Sequence, residues 1–160
     1  MPYSQLYVHV VWATYLRNPL VGSCFEEALW ASIGAYCREA GASPIQVGGM
    51  ADHVHVLASV PPSLSVSRLV WAIKGSSSHD MAHRIAPGRP FRWQEGYGAF
   101  TLRKEDSEVV ASYILDQRAH HAAQTTKDDW ERWESEHEPE PTKRRLARLD
   151  PEIGPRPPGW

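Results

Sequence analysis

The stretch Ile45-Gln46-Val47-Gly48-Gly49-Met50-Ala51-Asp52-His53-Val54-His55-Val56-Leu57-Ala58-Ser59-Val60 carries the fold. Ile45–Gly49 and His53–Val60 are apolar and β-branched, and Met50-Ala51-Asp52 lies between them. This pattern predicts two antiparallel strands of a hairpin. Pro61-Pro62 ends the second, because proline cannot donate to a strand ladder. Upstream, Leu6–Thr14 is β-branched and aromatic and reads as a strand. Ser23–Ala40 reads as a helix: Ser23 and Glu26 have capping-box spacing, Ala28, Leu29, Ile33 and Tyr36/Cys37 form the apolar stripe, and Gly41 supplies the stop. Downstream come a helix from about Ser65 with Leu69, Val70 and Ile73 inward, a short strand Tyr97–Leu102, and a third helix Glu105–His121 capped by Asp106 or Ser107. The order β-α-β-β-α-β-α predicts an α+β class. The architecture is a ferredoxin-like (RRM-like) antiparallel sheet with helices packed on one face and an additional C-terminal helix.

A chain of 160 residues, 42% hydrophobic and 22% charged, suits one packed domain with a small appendage. Residues 1–123 balance ten basic against ten acidic side chains, while 124–160 hold seven against nine. Six of the thirteen prolines fall in the last 22 residues. The expected organisation is therefore a domain over 1–123 and an acidic, proline-rich, partly disordered extension over 124–160, with at best a short acidic helix at Glu131–Glu140. The net charge of −2 excludes a strongly basic nucleic-acid binder but leaves room for a local patch. No apolar run is long enough to span a membrane, and the N-terminus carries no signal-like segment. Cys24 and Cys37, both in the predicted first helix, read as reduced core thiols, so a cytoplasmic location is expected.

Strand alternation puts His53 and His55 on one face and Val54 and Val56 on the other. Two imidazoles about 7 Å apart along a strand can share a divalent cation, and they can equally be two solvated side chains. Tyr113 and Gln117 lie one turn apart on a helix, where a phenol could act as nucleophile and an amide oxygen as a hard ligand. The bland alternative is a core tyrosine with its hydroxyl at the edge. His120-His121 suit a helix C-terminus, His9 reads as a packed or edge residue, and His79 and His83 as surface residues. Lys74-Gly75-Ser76-Ser77-Ser78 reads as a cationic, hydroxyl-rich close to the second helix, able to contact phosphate or simply to end the helix. Arg84, Arg89, Arg92, Arg103 and Lys104 are interleaved with Phe91, Trp93, Tyr97 and Phe100. That mixture serves single-strand binding, with charge for the backbone and rings for the bases, or a solvated rim on an aromatic cluster.

The series Val10-Val11-Trp12-Ala13-Thr14, His53-Val54-His55, Lys74-Gly75-Ser76-Ser77, Trp93-Gln94-Glu95-Gly96-Tyr97 and Tyr113-Ile114-Leu115-Asp116-Gln117-Arg118-Ala119-His120-His121 resembles one family. It is similar to the single-tyrosine HUH transposases of the insertion sequence 200/605 type, including relatives that act on repetitive extragenic palindromes. The resemblance spans roughly residues 5 to 123. It implies Mg²⁺ or Mn²⁺ bound by His53, His55 and Gln117, with Tyr113 as nucleophile in metal-dependent cleavage and rejoining of single-stranded DNA through a 5′-phosphotyrosine. It also implies recognition of a DNA hairpin, for which Lys74, Ser76, Ser77, Arg92 and Arg103 are the candidates, and a homodimer whose active sites can be shared between subunits. The loop Tyr15-Leu16-Arg17-Asn18-Pro19 carries one cation where relatives often carry several. Together with the neutral body this points to modest nonspecific DNA affinity. Two other readings stand beside it: a domesticated, non-catalytic DNA-binding or regulatory protein on the same fold, and a metal-dependent hydrolase using water.

Overall fold

The computed structural model describes residues 3–133. The expected proline-rich segment, like most of the expected acidic helix, lies outside the described residues. Four strands, β1 (Tyr7–Ala13), β2 (Ser43–Met50), β3 (His53–Ser59) and β4 (Gly98–Leu102), form an antiparallel sheet in the order β2-β3-β1-β4. Four helices accompany them: α1 (Glu26–Glu39), α2 (Val66–Asp80), α3 (Ser107–Leu115) and α4 (Gln117–Ala123). The element order is the expected one, and the α+β antiparallel architecture is as the sequence predicts.

Alternation along β1 and β3 divides the sheet into two buried faces. Val8, Val10 and Trp12 of β1 and Val54, Val56 and Ala58 of β3 point to one side. There α1 contributes Leu29, Ile33 and Cys37, and α2 contributes Leu69, Val70 and Ile73. Each fully buried aliphatic side chain contributes about 1.5–3 kcal/mol through apolar area removed from water. The opposite side carries His9 and Val11 of β1 and His53, His55 and Leu57 of β3. Here α3 lies over β2 and β3, with Val110 and Ile114 against Leu57. Gly48 permits that approach, since a Cβ on it would stand 2.7 Å from the Ile114 carbonyl oxygen. The register pairs Val11 with His55 and Ala13 with His53, so both histidines sit at the Ala13 end of the central strand pair.

Several expected details differ. Helix α1 begins at Glu26 with no side-chain cap, because Phe25 N donates to Gly22 O and takes Ser23 into the preceding turn. Cys24 therefore precedes the helix and is exposed, while Cys37 is buried in it. The Ser65 cap forms, its Oγ accepting from Arg68 N. Gly75 does not stop α2, which runs on to Asp80 and continues as a π turn over Met81–Ile85. A mid-helix glycine costs only about 1 kcal/mol, and here Ile73, Ser77 and Asp80 are all buried along the helix. The third helix is broken: α3 ends at Leu115, Asp116 leaves helical geometry (φ −96°, ψ 23°), and α4 starts at Gln117. Asp106 does not cap through its side chain, since Arg103 donates to both of its oxygens.

Candidate active site

The histidine pair is not solvated. His53 and His55 are 0% exposed, Gln117 1% and Tyr113 3%, although they come from a strand and from two helices. The Asp116 break does not separate Tyr113 from Gln117: Gln117 Nε2 donates to Tyr113 O at 3.2 Å. That bond leaves Gln117 Oε1 directed at His53 Nε2, 3.2 Å away.

The outer ring nitrogens are both occupied. Asp52 Oδ1 stands 2.7 Å from His53 Nδ1, and Arg17 holds the other Asp52 oxygen at 2.8 Å. Although burial opposes it, the hydrogen bond from His53 and then the Arg17 guanidinium hold the Asp52 carboxyl down to about 2. With its proton on Nδ1 and donated to Asp52, His53 would present Nε2 as the nitrogen able to take a ligand. His9 does the equivalent for His55, its Nε2 lying 2.9 Å from His55 Nδ1. Burial, and then His55, push His9 down to about 3, while burial also lowers His55. Both rings are thus neutral, and the tautomer that a metal ligand needs has its Nδ1–H donated to His9.

A further acid completes the group. Glu131 Oε2 lies 3.4 Å from His53 Nε2 and 3.3 Å from His55 Nε2. The carboxylate lacks hydrogen-bond direction toward His55, whose Nε2 is buried without a hydrogen-bond partner. Glu131 Oε1 accepts from the Tyr113 hydroxyl, which in turn accepts from Lys127 N at 3.1 Å. Burial opposes ionisation of Glu131, but the adjacent His55 ring and the Tyr113 hydroxyl hold it down to about 2. Burial, and then the same carboxylate, push the Tyr113 phenol up to about 12. Two imidazole nitrogens, an amide oxygen and a carboxylate oxygen thus face one another in one buried group. A donor set of imidazole nitrogen and hard oxygen at these separations fits a divalent cation.

The other candidates lie apart from this group. Lys74 Nζ donates to Gln94 O at 2.6 Å and Gly96 O at 2.8 Å, and burial lowers it to about 8. Ser77 is fully buried, its Oγ accepting from Trp93 Nε1 at 3.0 Å. Ser76 is half-buried on the same helix. Arg92 is exposed and lies over the Tyr15 ring at 4.4 Å. Arg103 sits at the rim of a cleft of about 450 Å³ that is also lined by His9, Phe100, Val110 and Trp130.

Four contributors were not among the sequence candidates: His9, Asp52, His121 and Glu131. His121 packs 5.1 Å from the His53 ring, and burial, followed by His53, lowers its pKa. Asp52 was signalled by adjacency to His53, and His9 by facing the same side of the sheet. Glu131 arrives on a short 3₁₀ turn, Asp128–Glu131, with no periodicity to announce it.

The family described as "Transposase IS200 like" matches residues 2–117. The ISDra2 transposase TnpA of Deinococcus radiodurans is 24% identical over 120 residues, covering 71% of this chain and 84% of that protein. The transposase for insertion sequence element IS200 of Salmonella typhimurium is 26% identical over 115 residues, covering 68% and 74%. Among solved structures, a candidate transposase of Deinococcus radiodurans aligns with a TM-score of 0.57 at 23% identity, covering 72% of this chain and 93% of that one. A REP-associated tyrosine transposase bound to a REP hairpin aligns with a TM-score of 0.57 at 15% identity, covering 76% and 72%. At these identities the structural likeness is one of fold.

Proposed function

The chain belongs to the IS200-like transposase family, and from that premise we propose that it cleaves and rejoins single-stranded DNA through Tyr113, with a divalent cation held by His53, His55 and Gln117. The observation that carries this reading is the meeting, in one chain, of Tyr113 with the buried side chains of His53, His55 and Gln117. Tyr113 Oη attacks the scissile phosphorus, the bond from phosphorus to the 3′ oxygen breaks, and the phenolic proton ends on that oxygen. The products are a 5′-phosphotyrosine and a free 3′-hydroxyl. A second 3′-hydroxyl then attacks the phosphotyrosine, and Tyr113 leaves and regains a proton. Each step exchanges one phosphate ester for another, so no nucleotide cofactor is needed. A phenol held near 12 is a weak nucleophile at neutral pH. A divalent cation held by His53, His55 and Gln117 would supply positive charge to polarise and orient the phosphate. In this reading Asp52 and His9 accept the Nδ1 protons of His53 and His55, which turns both Nε2 atoms to the metal.

The DNA partner is read as a single strand with a hairpin, by analogy with the REP hairpin to which the structural neighbour is bound. Arg92 over Tyr15, and the cleft bearing Phe100, Trp130 and Arg103, combine rings with charge as a nucleotide-binding surface does. Ser76 flanks that function, whereas Lys74 and Ser77 support it by holding the Trp93–Gly96 loop. The catalytic unit extends through residue 133, since Glu131 belongs to the site. A homodimer accords with the family reading, although here the tyrosine and the histidine pair meet within one chain. No described helix is long and apolar enough to cross a membrane.

The test is formation of an SDS-resistant protein–DNA adduct on single-stranded hairpin DNA with Mg²⁺ or Mn²⁺. Wild type should form it and Tyr113→Phe should not. An undiminished adduct with Tyr113→Phe would remove the nucleophile assignment. Hairpin binding without cleavage under either metal would favour the non-catalytic reading, and cleavage without an adduct the hydrolase.

A further inference from the structure

We propose that Glu131 is a fourth protein donor to the divalent cation, so that the bound ion latches the segment 127–133 over Tyr113. This rests on the metal site of His53, His55 and Gln117 proposed above. Cis donors on an octahedral ion of the Mg²⁺ type stand about 3.0 Å apart, given metal–oxygen bonds of about 2.1 Å. The separations here, 3.2 Å from Gln117 Oε1 to His53 Nε2 and 3.4 and 3.3 Å from Glu131 Oε2 to the two histidines, exceed that by only a few tenths of an ångström. Glu131 Oε1 is engaged by the Tyr113 hydroxyl, and that bond turns Oε2 toward the donors.

Chemistry favours the same assignment. Two imidazoles and an amide are all neutral, while Mg²⁺ and Mn²⁺ are hard cations that prefer anionic oxygen. Asp52 cannot serve, because His53 Nδ1 and Arg17 hold its two oxygens on the far side of the ring. Among the described residues, Glu131 is the carboxylate that groups with both histidines.

The segment around Glu131 is seated by its backbone and its rings. Lys127 N donates to the Tyr113 hydroxyl, and Trp130 meets the Tyr113 ring edge-on at 5.0 Å. Trp133 lies over His53 at 6.4 Å with an interplanar angle of 21°, and Arg17 lies over Trp133 at 4.7 Å. Gly98 makes the approach possible, since a Cβ there would stand 1.8 Å from the Arg132 carbonyl oxygen. A cation bound by Glu131 therefore fastens a whole segment, and the nucleophile beneath it is exposed to solvent only when that segment lifts.

The test measures Mn²⁺ affinity by electron paramagnetic resonance on the full chain without DNA, for wild type, Glu131→Gln and His55→Ala. Glu131→Gln should weaken binding by about tenfold or more, and His55→Ala should weaken it further. Unchanged affinity in Glu131→Gln with loss in His55→Ala overturns the fourth donor while leaving the three-residue site intact. Equal binding by wild type and His55→Ala overturns the metal site itself, and this proposal with it. Tryptic cleavage after Lys127 and Arg132 gives a second readout. Mn²⁺ should slow it in wild type and leave it unchanged in Glu131→Gln; an unchanged rate in wild type overturns the latch.

Discussion

The two faces of the sheet are built by the same strands and buried to the same depth, but they are held together differently. On the α1/α2 side, Val10, Trp12, Val54 and Val56 meet apolar partners and need nothing more than close packing. On the α3/α4 side, His9, His53, His55 and Gln117 are at most 1% exposed. Burying such groups is costly unless each polar atom finds a partner. Asp52 and His9 satisfy the outer nitrogens, and the inner ones are left facing Gln117 and Glu131. A period-two strand can therefore put stability on one side and reactive groups on the other, one residue apart. The cost falls on the second side, where His55 Nε2 is buried without a hydrogen-bond partner.

That contrast can be broken at its strongest point first. Tyr113→Phe should lower adduct formation by at least about a thousandfold, while chemical denaturation shows a fold close to wild type. Val54→Ala, beside His53 but on the apolar face, should do the reverse: about 2 kcal/mol less stable by urea unfolding, with unchanged adduct yield per folded molecule. His53→Ala in the same strand should lose Mn²⁺ binding, so a similar behaviour of the two neighbours would erase the distinction between the faces. Next in size are the outer partners. Asp52→Asn and His9→Phe should each weaken Mn²⁺ binding about tenfold, as loss of an orienting group does, measured by calorimetric titration.

The smallest effect concerns Lys74 on α2. Burial lowers its folded pKa to about 8, below the ordinary 10.5 that it regains on unfolding. Between those values the unfolded chain binds the proton more tightly, so the group's destabilising contribution fades as pH rises from 8 to 10.5. Denaturation at about pH 7.5 and about pH 9.5 should show wild type gaining stability relative to Lys74→Met; a parallel response would place Lys74 outside the buried environment.

Strands and their faces were legible in the sequence because alternation over 45–60 has a single consistent solution. Tyr113 and Gln117 were legible as a pair, although their helix is interrupted, because the break at Asp116 turns the chain without changing their side. Ser23 and Glu26 misled, since a capping-box spacing also fits a turn one register earlier. Gly75 misled because helix propensity is overridden where Ser77 and Asp80 are buried. Glu131 was invisible for a different reason. It stands far from His55 in sequence, on a turn with no repeat, and only tertiary packing brings it to the histidines.

The depth at which Tyr113 lies bears on the lifetime of a covalent link. A phosphotyrosine ester can be resolved by a 3′-hydroxyl or by water, and water is by far the more abundant of the two. The end of the chain of events is a joined strand only where water is kept out. With Trp130, His120 and His55 around the phenol ring, the surroundings are aromatic and close. Under the proposed mechanism, this enclosure would favour religation over hydrolysis to the extent that the strand's entry leaves it in place.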